Sequence, residues 1–332
     1  MKAVIVEYVA EGEPVGSELI ATKYDLGVRG ATVRNELAEM SEMGLLEQPH
    51  TSAGRIPSDS GYRYFVDHMV NPGAPEEGEQ SRIDQTTQKA EILRDLLQDT
   101  TKLLSRMTHQ LSAAKLSTVS KQVIRNAVVT ALGERSALLV VVLGNGDVAN
   151  RPLEIPKEVT LADFGELNDW LTRVVVNQTL GEVNKLKSSS IGRPGAIEEL
   201  AANTIAGLKA INKDRSSGQL FVEGEEYVLA APEVQRDAMN LSNVLQSIED
   251  DTLLAQAIDN QSSEPLYITI GKENLTPGLH SLSILRHSFT IGDEHAGTIA
   301  LVGPTRTEYE KNIALLKFTS KAISDSIEKL LR

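Results

Sequence analysis

The chain has no cysteine, which excludes disulfides, thiolate metal sites and cysteine nucleophiles and fits a reducing, cytoplasmic setting. Its longest apolar run, Ala137–Leu143, is far too short to span a bilayer. The few apolar residues between Lys2 and Glu7 do not make a signal peptide, so no membrane partner is expected. Catalytic signatures are missing as well: there is no Gly-x-Ser-x-Gly elbow, His-Glu-x-x-His pair or Walker loop. His280, His287 and His295 stand at spacings that suit no metal, and two are expected at the surface and one in packing. These gaps point away from an enzyme and name no cofactor or metal site. Positive charge is also short, with a formal net charge of -13 over 332 residues. Residues 1–70 hold only six cations (Lys2, Lys23, Arg29, Arg34, Arg55 and Arg63) against eleven carboxylates.

What the chain does contain starts with a local pattern. A helix start at Ser17-Glu18-Leu19-Ile20-Ala21 leads through Tyr24 to a turn at Asp25-Leu26-Gly27. A second helix follows over Gly30–Met43, with Val33, Leu37 and Met40 forming one apolar stripe. Beside that stripe stand Thr32, Arg34, Asn35 and Ala38, a donor-rich face near the helix start. Two short helices joined by a glycine-bearing turn make a helix-turn-helix pattern, in which Arg can read guanine and Asn adenine. Gly44 ends the second helix, Leu45–Gln48 reads as a short strand, and Pro49–Arg55 as a turn leaving through Ile56-Pro57. Ser58 then caps a helix with Tyr62, Phe65, Val66 and Met69 inward. The sum is a winged helix with its tip at Thr51–Arg55. The plainer alternative is a helical subdomain with a hairpin attached, since two-helix corners are common, and the wing tips the balance toward DNA. Arg34, Asn35 and Thr32 are the expected base-edge contacts, and Arg29, His50, Thr51, Ser52 and Arg55 the phosphate or wing contacts. An acidic domain is poor at phosphate neutralisation, so binding is expected to depend strongly on sequence. Arg34 finds no acid three or four residues away on its own helix, which leaves Asp25 as the nearest candidate for a structural pairing.

Three segments then become familiar. Glu13–Ser17, Ala31–Glu36 and Gln48–Ser58 follow one another at the spacing of the heat-inducible transcription repressor HrcA family, as does Gly61-Tyr62-Arg63-Tyr64-Phe65-Val66-Asp67. Downstream, Ile270-Gly271-Lys272-Glu273-Asn274 and Gly303-Pro304-Thr305-Arg306 resemble two later signatures of that family. The resemblance implies a homodimeric repressor on an inverted-repeat operator upstream of chaperonin genes. It also implies loss of repression on heat shock and a chaperonin, GroEL, that helps keep the repressor folded. The fold implied is α+β: a winged helix-turn-helix, a GAF-like antiparallel sheet domain and an inserted dimerising domain. The chain departs from the pattern twice. The family normally carries about a further helical turn or two ahead of Met1, so a truncated first helix or a misplaced start codon is expected. Arg29-Gly30 stands where a Ser-Pro pair would hold the helix start.

The remaining chain divides by pattern. Residues 1–72 are assigned to the winged helix and 73–118 to a linker and connecting helices, Asn71–Gln80 being a Pro, Gly and Glu-rich pivot and Ser81–Lys115 helical. Strands are expected at Ile124–Leu132, Ala137–Leu143 and Val148–Ile155. Gly144-Asn145-Gly146-Asp147-Val148-Ala149 matches a dinucleotide loop, but no helix opens after it, and Asn145-Gly146 is a type I′ hairpin signal. Helices follow at Leu161–Gln178 and Ala196–Lys213, then a hairpin of Leu220–Val222 with Tyr227–Ala230, and a helix over Met239–Ile258 whose Glu249-Asp250-Asp251 reads as a solvated face. Strands at Pro265–Lys272, Ser281–Ile291 and His295–Val302 precede a long helix, Thr305–Arg332, with a capping box at Thr305 and Glu308. Tyr309, Ile313, Leu316, Ile323, Ile327 and Leu330 make its heptad-like seam. Strands on both sides of a helical block suggest one sheet interrupted by an insertion. That assigns 119–151 and 218–332 to the GAF-like domain and 152–217 to the dimerising insertion. A ligand-sensing regulator with a metabolite in the GAF-like domain is the alternative.

Overall fold

A computed structural model describes the chain apart from residues 51–52, 91, 117–122, 145, 147, 157–158, 188–194, 217–219, 260–261, 263, 293 and 331–332, and apart from the side chains of 213–216 and 294. The chain divides into two compact units, Met1–Lys115 with Leu220–Arg332, and Leu116–Gln219.

The first unit opens with α1 (Lys2–Glu11), α2 (Ser17–Lys23) and α3 (Gly30–Glu42), then β1 (Leu46–Glu47), β2 (Ile56–Pro57) and α4 (Asp59–His68). These elements bury Val4, Ile5, Tyr8, Val15, Ile20, Val33, Leu37, Leu46, Tyr62 and Phe65. They recur at helical spacing because each helix presents one stripe to the common interior. After α5 (Glu77–Lys89) and α6 (Leu93–Thr108) comes β3 (Leu111–Leu116). Here the structure corrects the expectation of helix through Lys115. Leu-Ser-Ala-Ala-Lys-Leu is buried at every position, so it shows neither the alternation of a half-exposed strand nor a helical stripe.

The second unit holds β4 (Ile124–Gly133), β5 (Ser136–Leu143), β6 (Val148–Glu154), α7 (Leu161–Val174) and α8 (Ala196–Ser216). Its three strands form a sheet of their own in the order β4-β5-β6, antiparallel throughout. The expectation that this first strand block joins the later strands is therefore corrected. Alternation along β5 puts Ala137, Leu139, Val141 and Leu143 on one face, where Leu167, Trp170 and Leu171 of α7 and Leu200 and Leu208 of α8 complete a separate core. Gly146 has φ 84° between two antiparallel strands, as the hairpin reading requires. Asn145 lies outside the described residues.

The chain re-enters the first unit at β7 (Leu220–Glu223), followed by α9 (Glu225–Leu229), α10 (Pro232–Gln235), α11 (Ala238–Glu249) and α12 (Asp251–Ile258). Tyr227–Ala230, expected as the return strand of a hairpin, lies mostly in α9. Met239–Ile258 is two helices, because Asp250 leaves the helix and caps α12 by accepting from the Thr252 and Leu253 amides at 2.9 and 3.1 Å. Then come β8 (Leu266–Ile270), β9 (Leu282–Ile291), β10 (Glu294–Pro304) and α13 (Tyr309–Leu330). The sheet runs β7-β3-β10-β9-β8. Residues of β3, β9 and β10 join Val228, Val234, Val244, Ile248, Leu254 and Ile258 of the short helices in one core, while α13 packs on β9, β10, α5 and α6. Helix α13 starts at Tyr309, so Thr305 does not cap it. Its seam of Tyr309, Ile313, Leu316, Ile323 and Ile327 is buried within the unit. No helix among the described residues is long and apolar enough to cross a membrane.

Candidate nucleic-acid interface

Helix α2 closes on Tyr24, and the reversal into α3 passes through Asp25 at φ 42° and Gly27 at φ 66°. Helix α3 buries only Val33 and Leu37. Thr32, Arg34 and Asn35 lie outside that narrow stripe, Asn35 opposite it and Thr32 and Arg34 on its two flanks, and all three are exposed. Arg29 is the N-cap residue, and its side chain makes no capping bond. The carboxylate of Glu18 lies where a side chain at position 30 would begin, which places negative charge at the positive end of α3 in the absence of a Ser-Pro start.

The wing is built as the spacing predicts. Glu47 pairs with Ile56 and Leu46 with Pro57, and Val15 and Arg55 exchange both backbone hydrogen bonds at 2.9 Å. Gly54 is required there: a Cβ would stand 2.4 Å from the Val15 carbonyl group. The Ala53 amide donates to the His50 carbonyl at 2.8 Å, and Gln48 Nε2 donates to the Ala53 carbonyl at 3.0 Å. Ser58 fixes the exit, accepting from the Gly61 amide at 3.0 Å and donating to the Gly44 carbonyl at 2.6 Å. His50 is exposed and Arg55 half-buried. Thr51 and Ser52 lie outside the described residues.

The six cations of residues 1–70 fall into two sets. Lys2 pairs with Glu310 at 2.9 Å, Lys23 with Glu7 at 2.9 Å, and Arg63 with Glu273 and Asp67 at 2.6 and 3.0 Å. Lys23, together with the Tyr24 hydroxyl at 2.7 Å, holds the Glu7 carboxyl below its ordinary pKa. Partial burial and the same carboxylate push Tyr24 up to about 12. Arg29, Arg34 and Arg55 have no side-chain hydrogen bond or ion pair to any described residue, and Asp25 does not hold Arg34. These three were singled out from the sequence, and they are the cations left to meet phosphate or bases.

Sequence reasoning did not foresee how the domain is fastened. Arg63 of α4 places Nε and Nη2 on the two oxygens of Glu273 at 3.0 and 2.6 Å, and Nη2 also reaches the Ile268 carbonyl at 2.6 Å. The Lys272 amide donates to Asp59 at 3.1 Å. That carboxylate fills the space a Cβ at Gly271 would need, and Gly271 has φ 57°. Arg306 donates to Glu233 at 2.6 Å and to the Val9 carbonyl at 2.9 Å. The two downstream signature segments are thus clamps on the N-terminal domain, and the pivot expected at Asn71–Gln80 is bridged by them. The available signal was opposite charge in two distant segments.

A family model for the HrcA protein C-terminal domain matches residues 94–313. The heat-inducible transcription repressor HrcA of Moorella thermoacetica is 35% identical over 100% of this chain and 97% of its own length. That of Symbiobacterium thermophilum is 33% identical over 98% and 96%. The chain belongs to the HrcA family. A crystal structure of a protein described only as hypothetical shares the fold, at TM-score 0.58 and 19% identity over 98% of this chain and 96% of that one. Mixed helix with antiparallel sheets is the architecture of this HrcA-family chain.

Proposed function

We propose that this repressor of heat-shock genes binds an inverted-repeat operator as a homodimer, each subunit placing α3 in a major groove. Arg34 and Asn35, with Thr32, read base edges. Arg29, His50, Thr51, Ser52 and Arg55 contact the backbone from the helix start and the wing. The observation that carries this reading is the division of the cations: the three arginines on this face are exposed or half-buried and have no partner among the described residues, while every other cation of residues 1–70 is held by an acid. In a domain with excess acid, those three charges must supply the local attraction.

The second unit, residues 116–219, is assigned as the dimerising insertion. It has its own core, and it exposes Leu132, Val148 and Leu161 at 62%, 51% and 85%, apolar surface that a second subunit would cover. Repression acts in the cytoplasm and is relieved by heat, with the chaperonin GroEL restoring the folded repressor. The metal-free, cofactor-free, non-enzymatic reading belongs to the same proposal.

The deciding experiment is an anisotropy titration of an inverted-repeat operator from a chaperonin promoter against a scrambled probe, with wild type and Arg34→Ala. A preference for the inverted repeat that disappears in Arg34→Ala is the expected result. Equal, weak binding to both probes by the wild type would sink it. Sedimentation of the full chain tests the dimer, and a monomer at operator-binding concentrations would remove that part.

A further inference from the structure

Arg286 lies in the middle of β9 and is only 4% exposed. Its Nε donates to the Ala257 carbonyl at 2.7 Å, and its Nη1 to Thr269 Oγ1 at 2.9 Å and the Ile284 carbonyl at 3.2 Å. Nη2 has no acceptor among the described residues. All three acceptors are neutral, and no described carboxylate lies within ion-pair distance of the guanidinium. Asp259, whose charge is felt by the guanidinium, gives both oxygens to Lys115 Nζ at 2.6 and 2.7 Å. Lys115 is itself buried, at 6% exposure. Of these two buried cations only Lys115 has a carboxylate partner among the described residues, in a chain of net charge -13. Burying an unpaired charge is costly, and such charges are normally paired.

The guanidinium borders a cavity of about 260 Å³. Asp259, Gln256, Tyr267, Thr276, Glu273 and Asn274 add polar groups to its wall, and the last two are held within the fold. Glu273 is held by Arg63 and by the Ile270 amide at 2.9 Å. Asn274 Nδ2 donates to the Gly271, Leu279 and Leu282 carbonyls at 3.0, 3.0 and 2.8 Å, and its Oδ1 accepts from Thr269 at 2.5 Å. The rest of the lining includes Leu275, Leu279 and the ring of Tyr267, whose centroid is 5.2 Å from the Arg286 guanidinium carbon. A concave, partly apolar wall with one convergent unsatisfied cation is the usual form of a small-ligand site, and this volume lies just below the range of about 300–1,000 Å³ typical of larger ligands.

We propose that this cavity binds a small organic monocarboxylate. Its carboxylate takes the free edge of Arg286, and its apolar body rests against Tyr267, Leu275 and Leu279. Burial has already pushed the Arg286 pKa down to about 10, which is the cost that an anion in the cavity would relieve. The proposal is independent of DNA binding.

The test is calorimetric titration of the full chain with benzoate, with benzyl alcohol as a neutral aromatic control and inorganic phosphate as the bare anion. Saturable benzoate binding, absent for both controls and weakened about tenfold or more in Arg286→Met, is the expected outcome. If Arg286→Met does not fold, Thr276→Trp decides alone. Thr276 sits half-exposed on the cavity wall, so an indole there is expected to block the cavity while leaving the Arg286 charge in place, and binding must again be lost. The proposal is overturned by absence of saturable benzoate binding in the wild type. Equal binding of benzyl alcohol or phosphate, or benzoate binding retained in Arg286→Met or in Thr276→Trp, would overturn it as well.

Discussion

The winged-helix domain carries arginine on two sides and treats the two differently. On α3 and the wing, Arg29, Arg34 and Arg55 have no acid partner among the described residues. On α4, Arg63 is gripped by Glu273, Asp67 and a backbone carbonyl. An arginine can serve recognition only if its charge is unspent within its own chain. A fork already saturated by carboxylate and carbonyl oxygens holds the domain in place instead. Composition alone, six cations against eleven acids, hides this division.

The sharpest break of the comparison is Arg34→Ala. Losing one bidentate base contact should cost about 1–3 kcal/mol of discrimination between operator and scrambled DNA, while the melting temperature stays at the wild-type value because no intramolecular partner is lost. A fall in melting temperature would move Arg34 to the structural side. Gly54→Ala attacks the wing that presents Arg55. Its methyl group would press on the Val15 backbone at 2.4 Å, and overpacking of this kind costs about 1–3 kcal/mol, read by thermal denaturation. A variant as stable as wild type would show that the wing can shift freely.

Arg63→Ala should do the converse of Arg34→Ala. Stability falls by about 1–2 kcal/mol, a charge-assisted hydrogen-bond loss discounted because the Arg63 and Glu273 side chains are 28% and 37% exposed. The ratio of operator to scrambled affinity should be unchanged. A selective loss of operator preference in Arg63→Ala would erase the distinction between the two sides.

The smallest effect concerns acid. His287 is half-buried between β9 and α13, with Nδ1 2.7 Å from Ser320 Oγ. Burial, partly opposed by the Ser288 carbonyl, lowers its pKa below the ordinary 6.5. The unfolded chain then binds the proton more readily, so stability is full above about pH 6.5 and declines as pH falls toward the depressed value. His287→Gln should flatten this slope in melting temperatures taken across that window, and an identical slope would exclude His287 as its source.

Legibility followed locality. The helix-turn-helix, the wing, the hairpin at Gly146 and the long final helix were readable because turn residues and apolar periodicity are local properties of the chain. Leu111–Leu116 was not, since full burial removes the alternation that marks a strand. Tyr227–Leu229 was misread as strand because so short an apolar run has no decisive period. The break at Asp250 was hidden because a capping carboxylate and a solvated one look alike in sequence.

The sequence by itself determined which side chains of α3 lie open to solvent, because an amphipathic period sets the buried Val33 and Leu37 apart from the rest. Only the tertiary structure decided which cations are free, that β4–β6 form a sheet apart from the later strands, and that Arg63 meets Glu273 across 210 residues. Pairing of strands and of charges depends on which segments the fold brings within a few ångströms of each other, and no local pattern carries that information.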